Sequence, residues 1–289
     1  MNMTSKKIVA CVDGTSASAS VTAYAAWASL QLGIRLEFLH VIDRHPEVAE
    51  SGDYSGNLVA DSHQHLLQQL SDKDLARSKL GKEQGRAILK TAEAEARTAG
   101  VKETDVRLRH GSLIESLTDM AADIDLVVLG QRHHTDASGK VHLDHTLEGV
   151  IRRMRCPVLA TLERFSAPSR LMIAFDGSPA SRANVERIAR HPLVQGMQCH
   201  VVMANDRSEP LVDKMLSWAR ETLEAQGHET VTNLLLGEPI TVLRDYARSQ
   251  AIDLMVTGAF GHSLIRQLIF GSTTSTLLRT SPSPVLVLR

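Results

Sequence analysis

Residues 253–289 read DLMVTGAFGHSLIRQLIFGSTTSTLLRTSPSPVLVLR, and this stretch decides the fold class. An apolar run ends at Gly258, Gly261 and Gly271 follow, and a helix-like segment leads to a second apolar run. Glycine at the end of a strand lets the backbone approach a polar ligand, and the amides at a helix start favour anions. The stretch therefore predicts a strand, a phosphate-binding loop, a helix and a final strand.

The chain contains this pattern twice. Three segments recur in the same order, and the pairs are 7–18 with 170–181, 124–130 with 252–258, and 156–160 with 283–287. In the first pair, KIVACVDGTSAS matches RLMIAFDGSPAS almost position for position. Several segments that recur in one order indicate two copies of one domain. The copies are 163 residues apart at Asp13 and Asp176 but 128 apart at Gly130 and Gly258, so the first half carries about 35 additional residues.

Composition and charge narrow the class of protein. The chain has 289 residues, 43% hydrophobic and 3% aromatic, which suffices for two cores filled by small aliphatic side chains. The net charge of −1 provides no basic field for nucleic acid or an anionic membrane. No apolar run reaches membrane-spanning length, and the N-terminus lacks a signal-peptide core. Cys11, Cys156 and Cys199 have no metal or redox spacing, which favours a reduced, intracellular protein.

Each half alternates short β-branched runs with longer amphipathic segments, which predicts parallel strands covered by helices. In the first half, strands are predicted near 7–12, 35–42, 104–110, 125–130 and 157–161, and helices near 16–32, 61–99 (as one element or two), 112–122 and 144–154. In the second half, strands are predicted near 170–175, 198–204, 230–236, 253–257 and 284–288, and helices near 179–190, 208–226, 239–249 and 270–280. The additional residues of the first half lie at 45–80, as a loop and a helix extension. They are interpreted as a surface elaboration, with a lid or partner surface as the alternative.

On these residues the chain resembles the universal stress proteins in their tandem, two-domain form. The resemblance rests on Asp13 and Asp176 after a first strand, on the pattern Gly258-x2-Gly261-x9-Gly271-Ser272, and on the closing Pro-Val-Leu-Val strand. It implies two α/β domains, at 1–163 and 169–289. Each would be a five-stranded parallel sheet of order 3-2-1-4-5 with helices on both faces, and the domains would pair through their last strands.

The resemblance also implies a function. The glycine pattern is similar to the ATP-binding signature of the family, whose members are cytoplasmic, linked to stress survival and bind ATP or a related adenine nucleotide, often with a divalent metal such as Mg²⁺ or Mn²⁺. The residues expected at the nucleotide are Asp176, Ala204, Gly258, Gly261, His262, Gly271, Ser272, Thr273 and Thr274. In an open parallel sheet such a ligand lies beyond the carboxyl ends of the first and fourth strands.

The expected roles differ along this set. By resemblance, Asp176 faces the ribose or a metal near the phosphates, and its alternative is a turn residue that caps the helix near Pro179. The amides around Gly258 and Gly261 and those of 271–274 would hold phosphate oxygens, the alternative being an ordinary capped turn. Ala204 would present its backbone to adenine or only pack in its strand. His262, like Arg266, would add a cation or remain solvated.

The loop of the first half departs from the pattern. Asp144 replaces the third glycine, His145 the serine and His133 the second glycine, and the loop is one residue longer. A carboxylate at the helix start caps the amides itself and repels a polyanion. We therefore expect that the first half does not hold ATP in the family manner. His133, His134, His142 and His145 would suit zinc or nickel, but their spacing matches no standard ligand set, so no metal site is expected here.

Three function classes remain open from the sequence. The leading one is a nucleotide-responsive regulator with one ATP in the C-terminal half. The second is a slow ATPase or phosphotransferase at the same site. Neither a Walker sequence nor a Rossmann G-x-G-x-x-G occurs, and no nucleophile–base set is legible, so no catalytic residue is assigned. The third is a nucleotide-independent adaptor. The expected partners are the nucleotide, an unidentified protein and a second copy of the chain, with no nucleic acid and no membrane insertion.

Overall fold

The structure, a computed structural model, is an α/β protein described here for residues 6–42, 60–131, 133–135, 141–143, 145–205, 210–258 and 272–288. Its strands are β1 (Lys7–Cys11), β2 (Leu36–Ile42), β3 (Thr104–His110), β4 (Ile124–Gly130), β5 (His133–Thr135), β6 (Val141–Leu143), β7 (Val158–Thr161), β8 (Arg170–Ala174), β9 (Gln198–Asn205), β10 (Thr230–Leu236), β11 (Leu254–Gly258) and β12 (Val285–Leu288). Its helices are α1 (Ala17–Leu32), α2 (Ala60–Thr98), α3 (Leu113–Asp119), α4 (His145–Arg153), α5 (Pro179–Ala189), α6 (Pro210–Glu224), α7 (Pro239–Ser249) and α8 (Ser272–Thr280), with 3-10 turns at Ala121–Asp123 and Pro192–Val194.

The expectation of two five-stranded sheets is wrong, because the strands form one mixed sheet of ten. Its order is β10-β9-β8-β11-β12-β7-β4-β1-β2-β3, so each half keeps five parallel strands in the order 3-2-1-4-5. The halves join where β7 and β12 pair antiparallel, with Leu159 opposite Leu286. Both strands are buried along their whole length, and their pairing satisfies backbone groups that an uncovered edge would leave open.

Two helical layers cover the sheet. In β1, Ile8 and Ala10 face one core, which lies under α1, α2, α5 and α6. Val9 and Cys11 face the other core, which lies under α3, α4, α7 and α8. A strand buried on both faces needs a continuous apolar run rather than an alternating one, and this explains the repeated IVAC and LMIA sequences. No helix among the described residues combines the length and apolarity that a membrane span requires.

Two local features differ from the sequence prediction. The hairpin β5–β6, which pairs His134 with His142, lies in a stretch predicted to be loop. Three-residue strands carry too little periodicity to be recognised in a sequence. The helix predicted at 112–122 ends at Asp119 and continues as a 3-10 turn. The helix extension in the first half is confirmed, since α2 is one element from Ala60; residues 43–59 lie outside the described part of the chain.

The two halves have the same strand registers. Ile8 lies opposite Leu36 in the first half as Leu171 lies opposite Cys199 in the second. Glu37 and His200, one residue further on, are therefore equivalent positions on β2 and β9. By the same registers, Lys7 corresponds to Arg170, and Arg107 corresponds to Asn233.

Candidate functional site

The candidate nucleotide site lies at the carboxyl edge of the second half, where strand order reverses between β8 and β11. Asp176 follows β8 after the buried Phe175, and Gly258 is the last residue of β11. Ala204 lies one residue before the end of β9. Because parallel strands end at the same edge, the topology brings these three predicted residues to one crevice.

The turn after β8 presents the Asp176 carboxylate to solvent. Its Oδ1 accepts a hydrogen bond from the backbone N–H of Ser178 at 3.0 Å. The cap of α5 is Ser178, whose hydroxyl oxygen accepts from the N–H of Ser181 at 3.2 Å. The alternative role of Asp176 as the helix cap is therefore wrong: its carboxylate shapes the turn, and the side chain is exposed at the crevice.

A group of residues that the sequence prediction missed braces this turn. Gly177 has φ of 73°, and a Cβ there would collide with Sδ of Met215. Arg182 Nε donates to the carbonyl oxygen of Gly177 at 3.1 Å, and its guanidinium lies 4.7 Å from the ring centroid of Trp218. Trp218 in turn stacks on Phe175, with centroids 6.2 Å apart. Met215 and Trp218 come from α6, far along the chain from the turn, so no local sequence signal indicated them, whereas Arg182 lies on α5 next to the turn.

The phosphate-binding part of the predicted site begins at α8. The crossover from β11 to β12 is parallel, so α8 starts at the same carboxyl edge, with Ser272 as its first residue. Thr273 and Thr274 follow in its first turn, and the side chains of these three residues are not described. Gly261, His262 and Gly271, like Arg266, lie outside the described residues.

In the first half, hydroxyl groups engage the equivalent carboxylate. Asp13 Oδ1 accepts from the N–H of Thr15 at 2.8 Å, from Oγ1 of Thr15 at 2.6 Å and from Oγ of Ser18 at 2.9 Å. In the second half, the equivalent of Ser18 is Ser181, whose hydroxyl donates instead to the carbonyl oxygen of Ser178 at 3.0 Å. The same Asp-Gly turn thus has its carboxylate drawn inward in one half and exposed in the other.

The crevice of the first half is small. It holds a cavity of about 230 Å³, lined by the polar residues Asp13, Ser18, Ser112 and Thr146 and by apolar residues such as Leu113. Ligand pockets for organic molecules usually span roughly 300–1,000 Å³, so this cavity is smaller than the usual pocket. Burial raises the pKa of the Cys11 thiol to about 12, so this cysteine is not a nucleophile at neutral pH.

The helices that follow the two loops agree with the predicted alignment. The first residue of α4 is His145 and that of α8 is Ser272, both helices have nine residues, and β7 and β12 follow at the same distance. His145 thus occupies the serine position of the second half. Asp144 and the side chains of the loop histidines lie outside the described residues, so the expectation that this loop holds no metal site stays a prediction.

Comparisons with known proteins agree over nearly the whole chain. The model of the universal stress protein family matches residues 4–161 and again 168–289. A universal stress protein of Synechocystis sp. is 32% identical over 286 residues, which cover 98% of this chain and 100% of that protein. A solved universal stress protein from Archaeoglobus fulgidus superimposes with a TM-score of 0.70 at 17% identity, covering 98% of this chain and 96% of that one. A solved structure from Pseudomonas aeruginosa gives a TM-score of 0.60 at 17% identity, covering 98% and 93%.

Proposed function

The chain belongs to the universal stress protein family as two tandem copies, and we propose that its C-terminal half binds ATP or a related adenine nucleotide. Occupancy of that site would regulate contacts with a protein partner or a second copy of the chain during stress, in the cytoplasm. The proposed units are residues 1–163 and 169–289, of which only the second carries the nucleotide.

The observation that carries this proposal is the asymmetry between the two carboxyl-edge crevices. The first half has an inward-turned Asp13 and a cavity of about 230 Å³. The second half has an exposed Asp176 on a turn held rigidly by Arg182 and Met215. A carboxylate fixed by its neighbours binds a ligand with little loss of side-chain entropy. The second crevice is therefore the one suited to a polar ligand.

Each predicted residue has a role in the proposed complex. Asp176 would accept hydrogen bonds from ribose hydroxyls, or bind a Mg²⁺ or Mn²⁺ ion shared with the phosphates. Gly258 and Gly261 would let backbone amides approach the phosphates, and His262 would add a positive charge. Ala204 would offer its backbone to adenine. The phosphate tail would lie on the first turn of α8, with Gly271, Ser272, Thr273 and Thr274, because the unpaired amides of a helix start attract anions.

The proposal is tested by calorimetric titration of the full chain with Mg-ATP and by thermal unfolding with and without the nucleotide. We expect Asp176→Ala to weaken binding at least about tenfold, the usual effect of losing a hydrogen bond to a charged group. Asp13→Ala is the matched control and leaves binding unchanged. Gly271→Asp, which copies the first half, abolishes binding. Equal affinity in all four proteins, or no binding by the parent chain, contradicts the proposal.

A further inference from the structure

A second cavity lies between the two halves. Its volume is about 720 Å³, and it opens where the linker of residues 162–166 crosses between the start of α1 and the amino ends of β11 and β12. Because β7 and β12 are antiparallel, this is the edge of the second half opposite to the proposed ATP crevice. Asp253, just before β11, and Pro284, just before β12, line its wall.

The cavity contains a buried side chain without a partner. Gln131 follows β4 directly, and its backbone N–H donates to the carbonyl oxygen of Thr161 at 2.8 Å. Gln131 is among the residues that line the cavity, it is 5% exposed, and neither Oε1 nor Nε2 has a hydrogen-bond partner among the described residues. A buried polar group left unsatisfied costs about 1–3 kcal/mol, so a ligand that pairs with this carboxamide would recover that cost.

The other walls indicate the chemistry of that ligand. Ile252, Pro282 and Pro284 make one part of the lining apolar, which suits a planar ring. The charged groups at the cavity are the anions Glu163 and Asp253 and the cation Arg164. They provide no positive excess, so the cavity does not favour a polyphosphate.

A carboxamide presents an N–H donor and a carbonyl acceptor side by side, in one plane. That pair matches the edge of a nucleobase, and glutamine binds adenine through N6 and N7 in this way. We propose that the cavity between the halves binds a neutral nucleobase or nucleoside, which Gln131 recognises by a pair of hydrogen bonds. This site is separate from the proposed ATP crevice and does not depend on it.

The cavity is held open by the linker. The hydroxyl oxygen of Tyr24 accepts a hydrogen bond from the N–H of Ser166 at 3.3 Å, and the Tyr24 ring meets the edge of Phe165 with centroids 4.7 Å apart. Asp253 Oδ2 accepts from the backbone N–H groups of Ser169 and Arg170, each at 3.0 Å. These contacts hold the carboxyl-terminal end of the linker and the residues that follow it, so this wall of the site is formed before a ligand enters.

The test is a calorimetric titration of the full chain with adenine and with adenosine, neither of which carries phosphate. We expect the parent chain and the surface control Gln226→Leu to bind, and Gln131→Leu to bind about tenfold to a hundredfold more weakly, as loss of a bidentate base contact implies. Asp176→Ala keeps the affinity of the parent chain. The proposal is overturned if the parent chain binds neither compound, if Gln131→Leu binds equally well, or if Asp176→Ala removes binding.

Thermal unfolding without ligand supplies a second readout on the same variant. Leucine has nearly the shape of glutamine, and Gln131→Leu removes a buried group that makes no hydrogen bond with the described residues. We expect its melting temperature to equal or exceed that of the parent chain. A lower melting temperature would show that Gln131 stabilises the fold through partners within the protein, and the proposal would then be wrong.

Discussion

The two halves of the sheet share their backbone registers, yet they place different chemistry at the same buried position. In the first half, Glu37 is 2% exposed and accepts from Lys7 Nζ at 2.6 Å and from Arg107 Nε. In the second half the equivalent residue is His200, 4% exposed, whose Nδ1 lies 2.8 Å from the hydroxyl oxygen of Tyr246. One framework thus holds an ionic cluster in one half and a network of neutral side chains in the other.

The carboxyl edges of the two halves also place equivalent residues in different surroundings. Asp13 and Asp176 follow equivalent strands in nearly identical sequences, but only Asp176 is exposed. The apolar residues of each strand and their pairing registers fix where the strand lies. They constrain the polar residues at the ends of the strand and on the outer strands much less. A duplicated domain can therefore keep its fold while one copy loses a binding site that the other keeps. Substitutions at equivalent positions of the two halves measure how far the halves have diverged.

The largest expected effect is at the buried ionic cluster. Glu37→Gln leaves the Lys7 ammonium, whose side chain is 5% exposed, without its carboxylate. Removal of one partner from a buried ion pair costs about 3–5 kcal/mol of the free energy of unfolding. The matched change His200→Gln disturbs only hydrogen bonds of the neutral network and should cost about 1 kcal/mol. Urea unfolding at pH 7.5 measures both values.

A double variant sharpens this comparison. Lys7→Met with Glu37→Leu replaces the pair by apolar side chains, and Arg107 is exposed enough to reach solvent. We expect it to recover most of the stability that Glu37→Gln loses, because an apolar replacement avoids the cost of burying charge. Equal losses for Glu37→Gln and His200→Gln, or a double variant less stable than the single one, would contradict this account.

Much of the fold could be predicted from the sequence. The strands and most helices lie where their periodicity indicated, because buried strands such as β4 and β11 are apolar throughout and helices such as α2 are amphipathic. The edge position of Asp176 and Gly258 follows from the same topology. The single sheet differs from the prediction because pairing of the last strands was expected to join two separate sheets, whereas it continues the backbone ladder without a break.

The polar environment of each site could not be predicted, because it depends on residues distant in the sequence. Met215 and Trp218 support the turn at Gly177 from a helix almost 40 residues away, and nothing in the Asp-Gly-Ser sequence indicates them. The sequence carries no signal for Gln131, because a glutamine after a strand is common. Its significance lies in its burial beside a cavity that forms only when both halves pack together.

A smaller effect is expected at the turn that carries the carboxylate in each half. Gly177 and Gly14 have φ of 73° and 80°, and alanine in this region costs about 1–2 kcal/mol. In both variants the new Cβ also meets a neighbouring side chain, Met215 beside Gly177 and Ile88 beside Gly14, so one of the two groups must move. We expect this strain to displace the carboxylate that precedes each glycine. We expect both variants to lose similar stability in urea unfolding, whereas only Gly177→Ala weakens Mg-ATP binding. Weaker ATP binding in Gly14→Ala would contradict the assignment of the nucleotide to the second half.

The smallest effect is expected in the pH dependence of stability, because the two halves begin to lose stability at different pH values. Burial lowers the pKa of His200 below 6.5, and nearby Arg170 lowers it further against the opposing effect of Glu229. The unfolded chain then binds more protons than the folded one. The contribution of His200 to the free energy of unfolding is therefore complete above pH 6.5 and is lost as the pH falls further. Burial would raise the pKa of Glu37, but Arg107 and Lys7 outweigh it and hold that pKa below 4.5. The contribution of Glu37 to the stability of the first half is therefore lost only under more acidic conditions than that of His200 to the second half.

Each half contains one tryptophan, Trp27 on α1 and Trp218 on α6. The loss of stability with falling pH can therefore be followed separately in the two halves. Urea unfolding of Trp27→Phe and Trp218→Phe, monitored by the fluorescence of the remaining tryptophan, should show the second half weakening between pH 7.5 and 5.5 while the first half changes less. His200→Gln should reduce that difference, with the part due to His191, whose pKa burial also lowers, remaining. If both tryptophans report the same pH dependence and His200→Gln leaves it unchanged, the neutral network of the second half does not set its response to acid. Both halves would then unfold as one unit through the antiparallel contact of β7 and β12.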